Sequence, residues 1–142
     1  MDEQKKILVV EDNQHTRFLV RAILESVGYE VIEAEDGQKG FNMLSDETFK
    51  KSLSAIFLDI LMPNMTGLDL LKHLKGKDDF CQVPVLMLTT QDMAEDLIEG
   101  YQHGADYYIP KPFNRQQLLY GLELVLNNEA EDKAKEQVSR SS

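Results

Sequence analysis

The sequence predicts a doubly wound α/β domain, with a five-stranded parallel sheet flanked by five helices. Three observations point there. Five short apolar or β-branched runs recur along the chain: Ile7–Val10, Glu30–Ala34, Ala55–Leu58, Val85–Leu88 and Tyr107–Ile109. Their near-continuous apolar character suits strands buried on both faces of a parallel sheet. Helical patterns separate successive runs, and strict βα alternation places crossover helices against the sheet. Finally, 142 residues with 42% hydrophobic and 28% charged side chains make one ordinary globular domain with a real core.

The elements follow in order. The first strand ends in Glu11-Asp12. The first helix reads from about Gln14 to Val27, with Leu19, Val20, Ile23, Leu24 and Val27 on one face and Gly28 placed to stop it. A second helix follows Asp36-Gly37 and carries Phe41 and Leu44; Ser45 to Ser52 then form a rather long connection. The third strand delivers Asp59. After the loop Ile60-Leu61-Met62-Pro63-Asn64-Met65, Thr66 can cap a third helix bearing Leu68, Leu70, Leu71 and Leu74. A fourth helix starts near Gln91 and reaches about His103, although Gly100 weakens it by about 1 kcal/mol relative to alanine. Tyr107 and Tyr108 alternate in direction, one inward and one outward. Pro110 lacks a backbone donor, so the fifth strand is expected to end early. Asn114 caps a last helix that buries Leu118, Leu119, Leu122, Val125 and Leu126. Apolar periodicity then stops, which assigns residues 1–126 to the domain and 127–142 to a helical extension or disordered tail.

Charge narrows the partners. A formal net charge of -10 argues against direct contact with nucleic acid or an anionic membrane, both of which need basic patches. The lone Cys81 makes no internal disulfide, and neither a signal peptide nor a membrane span is visible, so a cytoplasmic setting is expected. His15, His73 and His103 show no ligand spacing.

The chemistry lies at the strand ends. Glu11, Asp12 and Asp59 all leave the C-terminal ends of predicted strands, where open α/β sheets bind ligands. Carboxylates gathered there repel one another unless a divalent cation, Mg²⁺ or Mn²⁺, joins them. A carboxylate in such a site can also attack phosphorus and form an aspartyl phosphate. Thr89 and Lys111 follow two further strands, and a hydroxyl and an ammonium are suitable partners for phosphoryl oxygens.

Four stretches together resemble response-regulator receiver domains of the chemotaxis-regulator type. They are Ile7-Leu8-Val9-Val10-Glu11-Asp12, Asp59-Ile60-Leu61-Met62-Pro63-Asn64-Met65-Thr66-Gly67, Pro84-Val85-Leu86-Met87-Leu88-Thr89-Thr90, and Gly104-Ala105-Asp106-Tyr107-Tyr108-Ile109-Pro110-Lys111-Pro112-Phe113. The resemblance implies a flavodoxin-like sheet of order 2-1-3-4-5. It implies that Asp59 accepts a phosphoryl group from a histidine kinase or a histidine phosphotransfer protein. Glu11, Asp12, Asp59 and the backbone carbonyl of Leu61 would surround the metal, Thr89 and Lys111 would hold the phosphoryl oxygens, and Tyr108 would change rotamer on switching. The Lys111-Pro112 peptide bond would be cis, a state accessible mainly before proline. Leu61 and Gln91 match positions flanking the path of hydrolytic water, so an apolar Leu61 is expected to prolong the aspartyl phosphate. Glu11 departs from the commoner aspartate, and Thr66 from another in the turn.

Two functions remain in play. The leading one is a stand-alone response regulator, not a conventional enzyme, that catalyses only its own phosphorylation and dephosphorylation. Phosphorylation would alter the surface of the fourth helix, fifth strand and fifth helix for a downstream target protein. Motors, phosphorelay proteins and partner enzymes all fit as targets, and a phosphorylation-dependent dimer stays open. The alternative is a magnesium-dependent phosphohydrolase with an aspartate nucleophile, but its second acid is missing: Ile60 and Leu61 follow Asp59.

Overall fold

The computed structural model describes residues 5–60, 62, 65–75, 83–90 and 104–127. In chain order the elements are β1 (Lys6–Val10), α1 (Gln14–Ser26), β2 (Glu30–Ala34), α2 (Gly37–Leu44), α3 (Glu47–Ser52), β3 (Leu53–Asp59), α4 (Gly67–Lys75), β4 (Val85–Thr90) and β5 (Tyr107–Lys111). A last helix, α5, covers 115–127. The five strands form one sheet in the order β2-β1-β3-β4-β5, and every neighbouring pair is parallel.

Successive strand side chains point to opposite faces, so each strand feeds two cores. Leu8 and Val10 of β1 join Ile56, Leu58 and Met87 in one cluster, covered by Leu44 of α2 and Leu68, Leu70 and Leu71 of α4. Ile7 and Val9 join Ala55, Phe57, Leu86 and Leu88 in the other, under Val20, Ile23 and Leu24 of α1 and Leu118, Leu122 and Val125 of α5. Helices on both faces are why the strands read as apolar runs instead of alternating ones.

Local caps start the helices. Asn13 accepts from the Thr16 amide at 2.9 Å, and Asp36 from the Lys39 amide at 2.8 Å. Thr66 and Asp69 cap reciprocally at 3.1 and 3.3 Å. Asn114 and Gln117 do the same at 2.8 and 2.9 Å. Such reciprocal pairs satisfy two orphan amides at once. Gly28 follows α1 with φ +95°, a left-handed conformation that suits glycine.

Four local expectations are corrected. Leu19 and Val27 are 47% and 43% exposed, because a helix on a sheet buries only a stripe, here Val20, Ile23 and Leu24. The connection after Ser45 contains α3, nucleated by Asp46, whose carboxylate accepts from the Thr48 and Phe49 amides at 3.0 and 3.2 Å. β5 does not stop before Pro110 but runs through it to Lys111; at the sheet's edge a missing donor costs little. Neither tyrosine simply points outward. Tyr108 is buried, and Tyr107 is half-buried against α5, because helices lie on both sheet faces. The helix expected from Gln91, the loop positions Leu61, Pro63 and Asn64, Cys81, and the tail 128–142 lie outside the described residues.

Candidate functional site

Register assembles the site. Val10 pairs with Leu58, so the next residues, Glu11 and Asp59, leave neighbouring central strands side by side. Asp59 pairs with Leu88, which puts Thr89 one step beyond it, and Thr90 pairs with Lys111. Glu11, Asp59 and Thr89 are buried, whereas Asp12 is exposed.

Glu11, Asp12 and Asp59 each offer a carboxylate oxygen, and these oxygens lie within 4.8 Å of one another. The Lys111 ammonium reaches across the sheet to both Glu11 oxygens at 3.1 and 3.2 Å and to Asp59 Oδ1 at 3.2 Å. The Asn13 amide donates to Glu11 Oε1 at 3.3 Å. One ammonium against three carboxylates leaves an excess of negative charge. Its effect falls on Glu11, whose pKa is raised to about 7 by burial first and by Asp59 second, with Lys111 opposing. A small hard cation with oxygen ligands suits that excess, so these side chains fit Mg²⁺ or Mn²⁺.

The backbone around Asp59 is closely packed. The Ile60 amide donates to the Leu88 carbonyl at 3.1 Å, and the Gly67 amide to the Ile60 carbonyl at 3.0 Å. A Cβ on Gly67 would stand 2.2 Å from the Asp59 carbonyl oxygen, so only glycine lets α4 begin so close to the end of β3. The Lys111-Pro112 peptide bond is cis. Beside Lys111, an open cleft of about 390 Å³ is lined by Thr16, Leu19, Lys111, Pro112 and Phe113.

The structure therefore brings Glu11, Asp12, Asp59 and Lys111 into one charged group, with Thr89 at the adjoining strand end. Tyr108 lies apart from these contacts, in the apolar cluster with Met87 and Ala105. Leu61 and Gln91 lie outside the described residues. Sequence reasoning missed Arg17, whose Nη1 donates to the Glu11 carbonyl at 2.9 Å. A signal existed: a cation in the N-terminal part of a helix is disfavoured by the dipole and needs another reason to be there. It also missed Asp106, which accepts from the Val85 amide at 2.7 Å and ties the start of β4 to that of β5.

Residues 7–123 match the family described as the response regulator receiver domain. The chain belongs to that family. Receiver domains take part in two-component signalling, accept phosphoryl groups and bind Mg²⁺ in an acidic pocket of this kind. This chain is 37% identical over 121 residues to the transcriptional regulatory protein CpxR of Escherichia coli (strain K12), a match covering 85% of this chain and 49% of CpxR. It is 32% identical over 136 residues to the transcriptional regulatory protein RprY of Bacteroides fragilis (strain YCH46), covering 96% and 55%. The crystal structure of chemotaxis protein CheY4 of Vibrio cholerae resembles it with a TM-score of 0.77 and 35% identity, covering 87% of this chain and 100% of that one. The chain spans about half the length of the curated relatives it matches. Among the described residues of this receiver domain, no helix is long and apolar enough to cross a membrane.

Proposed function

We propose that Asp59 accepts a phosphoryl group from the phosphohistidine of a histidine kinase or a histidine phosphotransfer protein. One observation carries the reading: Asp59 sits within metal-sharing distance of Glu11 and Asp12 and is ion-paired to Lys111 at 3.2 Å. In the reaction an Asp59 carboxylate oxygen bonds to phosphorus while the phosphorus–nitrogen bond breaks, and the electron pair stays on the imidazole nitrogen, which takes up a proton. Lys111 and Thr89 then meet the phosphoryl oxygens, one as a point charge and one as a hydroxyl donor. Glu11, Asp12, Asp59 and the Leu61 carbonyl would hold Mg²⁺ or Mn²⁺, which neutralises the charge of the transferring group. The cleft beside Lys111 offers an approach for the donor imidazole.

The test is intact-mass spectrometry after incubation with Mg²⁺ and acetyl phosphate. The native chain is expected to gain one phosphoryl adduct, and Asp59→Asn none; an adduct that survives this substitution defeats the proposal. A second expectation concerns lifetime. An apolar Leu61 slows hydrolytic water, so Leu61→Asn should shorten the life of the adduct several-fold, measured by the decay of the phosphorylated mass. An unchanged decay rejects that role for Leu61.

The phosphoacceptor unit is residues 1–126, with 127–142 as an extension. Signalling passes through protein surfaces: Thr89 and Tyr108 link the phosphoryl group to the face of the helix expected from Gln91, β5 and α5, read by a downstream target protein or by a second, phosphorylated copy. The net charge of -10 supports protein contacts over direct nucleic-acid contact, in a cytoplasmic setting. In this reading the catalysis of the receiver is confined to its own phosphorylation and dephosphorylation. The phosphohydrolase alternative is disfavoured, because Ile60 and Leu61 follow Asp59 where that chemistry needs a second acid.

A further inference from the structure

Arg17 lies near the N-terminus of α1, and its side chain is only 12% exposed. Its Nη1 donates to the Glu11 carbonyl oxygen at 2.9 Å. Its Nε lies 3.5 Å from Glu33 Oε1, a buried oxygen with no hydrogen-bond partner of its own. The other Glu33 oxygen takes Arg21 Nη1 at 2.9 Å, and Arg21 Nε meets Glu25 at 2.6 Å. Two guanidinium groups and two carboxylates thus form a neutral chain from strand β2 across the face of α1 to the acidic loop.

The carbonyl that Arg17 holds belongs to the peptide unit joining Glu11 to Asp12. Peptide units are planar, so fixing that oxygen fixes the plane from which both acidic residues depart. The Glu11 amide, on the preceding peptide unit, is held separately by the Ala34 carbonyl at 3.1 Å. Glu11 is thereby anchored on both sides, and the direction of the exposed Asp12 depends on Arg17. We infer that Arg17 is a positioning residue for the metal centre, orienting the Glu11-Asp12 peptide plane and itself oriented by Glu33. A guanidinium near a cation site would by charge alone weaken binding. Here Glu33 balances that charge, so the hydrogen bond decides the sign. Mg²⁺ demands near-ideal octahedral placement of its ligands, and losing an outer partner that orients them costs 10- to 100-fold in metal affinity.

The inference rests on reading Glu11, Asp12 and Asp59 as a metal centre, and its test separates the two. Isothermal titration with MgCl₂ would be run on the full chain and on Arg17→Met, Arg17→Lys and Glu33→Gln, with thermal midpoints taken in EDTA. Arg17→Met should weaken Mg²⁺ binding at least about tenfold. Arg17→Lys should restore part of the loss, because an ammonium can reach the carbonyl but cannot also match Glu33. Glu33→Gln, which keeps its shape, should lose several-fold. A purely structural role would lower the midpoints and leave the affinity of the folded variants unchanged; that result overturns the inference. If Arg17→Met fails to fold, the Lys and Gln variants decide it by the same criterion. A native chain that binds no Mg²⁺ overturns the metal centre itself, and the positioning role with it.

Discussion

Gly67→Ala is expected to lower the melting temperature by roughly 10 °C, from about 3 kcal/mol of destabilisation. The added Cβ would sit 2.2 Å from the Asp59 carbonyl oxygen and 2.8 Å from its carbon. These are backbone atoms of Asp59, so no rotamer change relieves the clash. Either α4 retreats or the end of β3 moves, and each disturbs the hydrogen bond from the Gly67 amide to Ile60. Acetyl-phosphate labelling of Asp59 should fall along with stability. Gly28→Ala is the control: it too is strained, by φ +95°, but nothing lies within 4 Å of its Cβ. It should cost only about 1 kcal/mol and leave labelling intact. Thermal melts with mass-spectrometric labelling of both variants check this. Equal labelling of Gly67→Ala and the native chain would show that the acceptor loop does not need the close approach.

Glu11→Gln should have opposite effects with and without metal. The folded pKa of Glu11 is about 7 against an ordinary value of 4.5. A raised folded pKa means that the folded chain holds the proton more tightly than the unfolded one. The associated stability is therefore complete below pH 4.5 and lost as pH rises through 7. At ~1.4 kcal/mol per pKa unit the loss is bounded near 3 kcal/mol. In EDTA, Glu11→Gln should not show this decline and should be the more stable protein at pH 8. With Mg²⁺ the order should reverse: the native carboxylate gains a cation, the amide does not, and ligand binding stabilises the folded state by mass action. Native Mg²⁺ affinity should itself rise with pH through 7, because the proton must leave before the metal binds. Urea melts from pH 5 to 8.5, with and without Mg²⁺, decide this. A native stability that stays flat across that range in EDTA would refute the raised pKa.

Local chemistry made much of the molecule legible beforehand. Buried parallel strands announce themselves as apolar runs, and caps such as Asn114 and Thr66 are encoded within four residues of the helices they start. Less legible were features that depend on what packs above an element. Leu19 and Val27 share the helical spacing of Val20 and Leu24, yet the sheet is wide enough to cover only the central stripe. Pro110 suggests an early strand end until β5 proves to be an edge. α3 depends on a single cap, Asp46, inside a segment with no apolar periodicity.

The candidate site divides along the same line. The sequence by itself pointed to the family, to the strand-end placement of the acids and to Asp59, Thr89 and Lys111 as candidate site residues, because these are properties of residue type and spacing along one strand and the loop after it. Tertiary structure decided how those groups share charge. Lys111 lies 100 residues from Glu11, yet it pairs with both Glu11 and Asp59. The Glu11 proton affinity follows from burial between strands, and Arg17 reaches the Glu11 carbonyl only because α1 crosses back over the end of β1. Distances and desolvation across the sheet set those energies, and neither is written in the order of residues along the chain.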